Sequence, residues 1–154
     1  MLKVVLYQPE IPPNTGNIMR LVANTGCSLH LIEPLGFDLE EKKLRRAGLD
    51  YRDFADVQRY PGMKAFLAQN GEGRVFAVTT RGARGYQEVA FEPGDAILFG
   101  PETRGLPQAM LDEMAPGQRI RIPMRPESRS LNLSNAVAVV LYEALRQLDF
   151  PDLA

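Results

Sequence analysis

Apolar residues fall along the chain in short blocks divided by polar, glycine- and proline-bearing punctuation. Residues 3–8 set Val4, Val5 and Leu6 in unbroken succession, the pattern of a strand buried on both faces. Pro12 and Pro13 then exclude helix until Asn14. From there Asn14 or Thr15 caps a helix reaching Asn24, with Ile18, Leu21 and Val22 at i, i+3 and i+4 as its apolar face. Gly26 suits the left-handed position that ends it. Residues 27–32 return as a strand. A helix over 39–47 stopped by Gly48, a short strand over 51–57 and a short helix over 63–69 follow. Next come a strand over 74–79 turning at Thr80-Arg81-Gly82, a weak segment at 86–90 and a strand over 95–99. Pro107 suits the first position of a helix over 108–114. A last strand spans 119–123 and a last helix 134–147. This alternation predicts an α/β fold: a mostly parallel sheet with helices on both faces, in one domain over residues 1–154. The last helix carries Ala136, Val137, Ala138, Val139, Val140, Leu141, Ala144 and Leu145, so it is apolar nearly all round. Either it is a central core helix, or its second face meets another subunit.

Composition narrows the picture. The 154 residues are 45% hydrophobic and 24% charged, which suits a compact globular chain. No apolar run approaches the roughly 18 residues of a membrane span. The apolar N-terminus lacks a small-residue cleavage site and reads as a strand, so the expected compartment is the cytoplasm. The single cysteine, Cys27, excludes an internal disulfide, and any His-based metal site or Ser-His-Asp triad would hang on His30 alone. Both are read as structural, and no metal is expected. The net charge of −1 argues against a generic polyanion binder. Locally the balance differs. Arg119, Arg121, Arg125 and Arg129 face only Glu127 within one stretch, and Arg74, Arg81 and Arg84 form a further cluster. Lys42, Lys43, Arg45 and Arg46, beside Glu40 and Glu41, read as solvated surface.

Candidate chemistry gathers at three strand ends, which a parallel sheet brings to one edge. They are Val78-Thr79-Thr80-Arg81-Gly82, the 99–105 segment FGPETRG, and the segment from Ile122 to Asn135. The last contains SRSLNLSN, three serines and two asparagines in eight residues. One helix cap needs one such residue, so this stretch reads as a binding loop. No GxxxxGK[ST] is present and no GxGxxG follows a strand, which disfavours a phosphate loop or a dinucleotide site. Asn14, Asn17 and Arg20 recur every three residues, on or near one side of the first helix.

NTGNIMR at 14–20, LFGPETRGLP at 98–107 and IPMRPESRSLNLSNAVAVVLYE at 122–143 resemble the three motifs of the SPOUT superfamily of RNA methyltransferases. With PEIPPNTGNIMRLVANTG and RRAGLDY, the similarity is closest to the small bacterial tRNA (cytidine/uridine-2′-O-)-methyltransferases of the wobble nucleotide. The resemblance implies an α/β fold with a deep C-terminal trefoil knot, and a homodimer joined through the C-terminal helix. It implies S-adenosylmethionine as methyl donor and tRNA as partner. The cofactor would contact Val78, Thr79, Gly100, Ile122, Met124, Ser130 and Leu131. Loop backbone would read the adenine edge, and apolar side chains would flank the ring. Arg20, Glu102, Ser130 and Asn132 match catalytic or RNA-handling positions.

The implied reaction methylates the ribose 2′-hydroxyl of C or U at tRNA position 34. A guanidinium is a poor proton acceptor, so Arg20 is expected to steady developing alkoxide and clamp a phosphate, held by Glu102 from across the site. Ser130 and Asn132 would orient ribose or methionine. Tyr142 is open to three roles, as an RNA contact, a dimer contact or a core tyrosine. The competing class is a non-catalytic α/β module for an adenine-bearing metabolite or RNA, which would not need all four of Arg20, Glu102, Ser130 and Asn132.

Overall fold

The computed structural model describes residues 1–39 and 56–154. The expected helix over 39–47 lies outside them except for residue 39, and the expected strand over 51–57 except for residues 56 and 57. The described elements are β1 (Lys3–Tyr7), α1 (Pro12–Thr25), β2 (Ser28–Ile32), β3 (Val57–Tyr60), α2 (Met63–Asn70), β4 (Val75–Val78), β5 (Arg84–Gly85), β6 (Ala96–Phe99), α3 (Gln108–Asp112), β7 (Arg119–Arg121) and α4 (Leu133–Gln147). All seven strands join one sheet in the order β3-β2-β1-β6-β4-β7-β5, and every pairing is parallel.

Strand alternation divides the core in two. Val4, Leu6, Phe76, Ile97, Phe99 and Ile120 point to one face, where α1 and α4 cover them with Ile18, Met19, Val22, Val137, Val140, Leu141 and Ala144. Val5, Val75, Ala77, Ala96 and Leu98 point to the other, beneath Phe66 of α2 and Leu111 of α3. Each fully buried aliphatic side chain contributes about 1.5–3 kcal/mol, and the two-residue period lets one strand feed both layers.

Several boundaries differ from the sequence expectation: β3 begins at Val57, where the expected strand ended, and α3 and β7 stop two residues early, at Asp112 and Arg121. Helix α1 begins at Pro12, with both prolines inside its first turn and Ile11 at the N-cap. Proline is excluded from helix interiors, but in the first turn its missing N–H would have had no partner. Asn14 and Thr15 are therefore buried helical residues rather than caps. Pro107 stands at the N-cap of α3, one position before the expected one. The weak 86–90 segment holds a short 3-10 turn at Tyr86–Glu88, and β5, not expected from the sequence, lies just before it. Gly26, at φ +70°, closes α1 as predicted.

The sheet order forces a crossing. β4 and β5 follow one another in sequence, yet β7 lies between them. The connection 79–83 therefore passes across β7. Thr79 N donates to Ile120 O at 2.9 Å on one side, and Ala83 N donates to Arg119 O at 2.9 Å on the other. Gly82 rests directly on the β7 backbone, where a Cβ would fall 2.5 Å from Ile120 O and 2.6 Å from Arg121 N. Only a residue without a side chain fits there.

Candidate active site

The C-terminal ends of β4, β6 and β7 open into one cleft of about 510 Å³, within the usual size range of small-molecule sites. Its walls come from the three loops singled out in the sequence. Val78 ends β4 and Thr79 follows it, Phe99 ends β6 and the 100–106 segment follows it, and Ile122, Met124 and Ser130 to Leu133 follow β7. Parallel pairing of β6 with β4 and of β4 with β7 is what brings these ends side by side. All seven residues assigned to cofactor contact lie in this wall, as do Glu102, Ser130 and Asn132. Arg20 does not line the cleft of its own chain. It stands on an exposed face of α1, six residues beyond Asn14 and about 9 Å further along the axis at 1.5 Å per residue.

The 100–106 loop is tightly folded. Gly105, at φ +69°, donates its N–H to Pro101 O at 2.9 Å, and a Cβ on Gly100 would collide with the Leu106 amide nitrogen and lie 2.6 Å from Gly105 C. The result is a narrow backbone shelf beside the apolar side chains of Val78, Phe99, Ile122, Met124 and Leu131. Met124 and Leu131 are exposed large hydrophobics. A shelf of backbone polar groups flanked by aliphatic walls suits a flat heteroaromatic base such as adenine, whose edge can hydrogen-bond while its faces pack.

Polar side chains lock the three segments together. Ile11 offers no side-chain cap to α1, and the Glu102 carboxylate, 91 residues from Ile11, holds the segment that leads into the helix. It accepts from Glu10 N and Ile11 N at 2.8 Å each and from Asn14 Nδ2 at 3.3 Å. Negative charge at a helix N-terminus is favourable by about 0.3–1 kcal/mol. Glu102 was expected to hold Arg20; the structure shows its carboxylate engaged with the start of α1. Asn14, buried at 6% exposure, accepts from Asn132 Nδ2 at 3.0 Å. Asn132 in turn caps α4, its Oδ1 accepting from Ser134 N at 2.9 Å and Ser134 Oγ at 2.6 Å. Of the serines and asparagines in this loop, one therefore is a cap after all, while Ser130 faces the cleft exposed. Sequence reading placed Thr103 and Arg104 in the 99–105 loop but singled out neither Ile11 nor Leu106 as a wall residue. Leu106 falls within the 98–107 motif, which was a usable signal.

A second cleft adjoins the first, lined by Thr80, Arg121, Arg125, Ser128 and Ser130. Arg121 Nη1 donates to Gly82 O at 3.0 Å, which fixes its guanidinium beside the opening. Far from both, His30 is buried between Ser28 Oγ at 2.9 Å and Tyr60 Oη at 2.8 Å. Tyr60 donates its proton to Gln58 Oε1, so His30 Nδ1 is the donor to Tyr60. Burial, and then the charge of Lys3, lower the His30 pKa to about 4. His30 belongs to the β2–β3 packing, as read from the sequence.

This site stands on a recognised scaffold. Residues 1–142 match the SpoU rRNA methylase family, and the chain belongs to it. Its relatives narrow the comparison. The tRNA (cytidine(34)-2′-O)-methyltransferase of Escherichia coli (strain K12) is 58% identical over 151 residues, covering 98% of this chain and 96% of the relative. A solved structure concerned with the 2-OH methylation of C/U34 on tRNA superposes with a TM-score of 0.89 at 49% identity, covering 97% of each chain. An AdoMet-bound rRNA methyltransferase from Sinorhizobium meliloti superposes with a TM-score of 0.79 at 27% identity, covering 96% of this chain and 56% of that one.

Proposed function

We propose that this chain, acting as one methyltransferase domain over 1–154, methylates the ribose 2′-hydroxyl of C or U at position 34 of tRNA, with S-adenosylmethionine as donor. The observation that carries the reading is the convergence of all seven expected cofactor residues with Glu102, Ser130 and Asn132 on one cleft. The narrow shelf at Gly100 and the aliphatic walls fit an adenosyl group. Bound there, S-adenosylmethionine supplies a methyl carbon on a sulfonium. The protein's remaining task is chiefly alignment, holding the 2′-oxygen in line with that carbon. Ser130 and Asn132 orient the ribose at the mouth. Arg20 clamps the neighbouring phosphate and steadies negative charge as the 2′-hydroxyl gives up its proton.

Arg20 sits outside its own cleft, which supports an assembly of two chains. Val139 and Tyr142 on α4 are exposed hydrophobics at 39% and 45%, on the face opposite the buried Val137, Val140, Leu141 and Ala144. We place the homodimer contact on this α4 face, beside α1. Dimerisation there brings Arg20 of one subunit towards the cleft of the other. The crossing of 79–83 over β7 supports the trefoil knot, with the C-terminal segment threaded beneath that loop. Arg121 and Arg125 line the adjoining cleft and Arg81 another beside Gly105; with Arg84 and Arg129 they serve as phosphate contacts, which reconciles RNA binding with a net charge of −1. Activity is placed in the cytoplasm with its tRNA substrate. No described helix is long and apolar enough to cross a membrane.

The test is methyl transfer from labelled S-adenosylmethionine to tRNA lacking the modification, with the product nucleotide mapped. Arg20→Ala should abolish transfer and leave cofactor binding intact. Transfer at a near-normal rate would remove Arg20 from the mechanism, and no transfer by the wild type to any tRNA would remove the function.

A further inference from the structure

The segment before α1 carries a carboxylate, Glu10, that does not line the cleft yet holds the tip of the 100–106 wall. Glu10 Oε1 accepts from Thr103 N at 3.0 Å and from Thr103 Oγ1 at 2.7 Å. Arg104 Nε stands 3.9 Å from Glu10 Oε2, and Arg104 Nη2 donates to Gln8 Oε1 at 3.2 Å. Thr103 and Arg104 are exposed, so without these partners their polar groups would turn to water. The contact is reciprocal, since Glu102 of the loop takes the N–H groups of Glu10 and Ile11. Each segment's carboxylate thus holds the other's backbone.

The base of this clasp is itself anchored. Gln8 N donates to Ile32 O at 2.9 Å and Gly36 N donates to Pro9 O at 2.9 Å, which tie the segment to the end of β2 and the turn beyond it. The 100–106 loop therefore leans on a fixed support. Glu102 secures its base and Glu10 its tip.

We infer that Glu10 is a positioning residue for the 100–106 loop, setting the fraction of molecules in which that loop is seated to receive the adenosyl cofactor. This rests on the function proposed above. Glu10 does not line the cleft and acts through Thr103. The Thr103 N–H and hydroxyl hold the Glu10 carboxyl below the usual carboxylate range, as expected of an anion engaged by donors. Apparent affinity scales with the competent fraction, so a loop seated in about a tenth of molecules binds cofactor about ten-fold more weakly.

The experiment measures cofactor dissociation by equilibrium titration, together with steady-state KM and kcat, for the wild type, Glu10→Ala, Thr103→Val and the double variant. Glu10→Ala should raise the cofactor Kd and KM about ten-fold while kcat at saturating cofactor stays within about three-fold, the signature of a lost competent fraction. Thr103→Val should act in the same direction but less, because its N–H remains. The double variant should be no worse than Glu10→Ala. Glu10→Gln, which keeps a carbonyl acceptor, should recover part of the affinity. Should Glu10→Ala fail to fold, Glu10→Gln with Thr103→Val forms the same cycle. Unchanged cofactor affinity, a fall confined to kcat, or fully additive effects would overturn the assignment while leaving the proposed function standing. Absence of cofactor binding by the wild type would overturn both.

Discussion

Gly82→Ala is the sharpest perturbation of this fold. The new methyl would meet Ile120 O at 2.5 Å and Arg121 N at 2.6 Å. Both are backbone atoms of β7, which is paired on one side with β4 and on the other with β5. Ile120 is fully buried, so the strand has nowhere to retreat. The 79–83 crossing must lift instead. That loosens the Thr79 N–Ile120 O and Ala83 N–Arg119 O bonds and the Arg121–Gly82 contact. Overpacking costs about 1–3 kcal/mol, and each strained backbone bond adds about 1 kcal/mol. The sum is about 3–5 kcal/mol, or a Tm lower by about 10–15 °C for a chain of this size. Thermal unfolding followed by circular dichroism measures it, with Gly117→Ala as control. At Gly117 the nearest atom to an added Cβ is Arg84 Nη2 at 3.9 Å, so the control should stay within about 0.5 kcal/mol of the wild type. If Gly82→Ala melts within about 2 °C of the wild type, the loop does not lie hard on β7 and the threaded reading loses its main support.

Two further outcomes follow from the same geometry. Asn132→Asp keeps the oxygen that caps α4 but sets a carboxylate oxygen against the buried Asn14 Oδ1; it should lose about 1–3 kcal/mol of stability and transfer methyl poorly, and Asn132→Ala, which gives up the cap instead, should also lose about 1 kcal/mol for the missing cap. His30 has a folded pKa lowered to about 4 from an ordinary 6.5. Between these values the unfolded chain takes a proton that the folded chain refuses, so stability falls as pH drops from about 6.5 towards 4 and levels off below. The full shift corresponds to about 3 kcal/mol, reduced by solvent screening to about 2. Urea denaturation at pH 7 and pH 4.5 should show this slope in the wild type and a smaller one in His30→Asn.

Local pattern determined a good deal of this protein. The runs at Val4–Leu6 and in the 95–99 and 134–147 stretches specify strands and helices because side-chain periodicity is a property of neighbours in sequence. The alternation of elements specified a parallel sheet, and a parallel sheet puts the loops after β4, β6 and β7 on one edge, so the cleft wall was legible before any coordinates. Tertiary structure decided what depends on partners distant in the chain. Pro12 and Pro13 fit the first turn of α1, where a missing N–H leaves nothing unpaired, but that the Glu10 and Ile11 N–H groups just before them meet a carboxylate from the far loop is a tertiary matter. Nothing local announces that Asn14 is an interior link between Glu102 and Asn132, that Glu10 grips Thr103, or that β7 slips between two consecutive strands beneath Gly82. Strand order and hydrogen-bond pairing are choices among many segments of equal local fitness, and only the packed chain makes them.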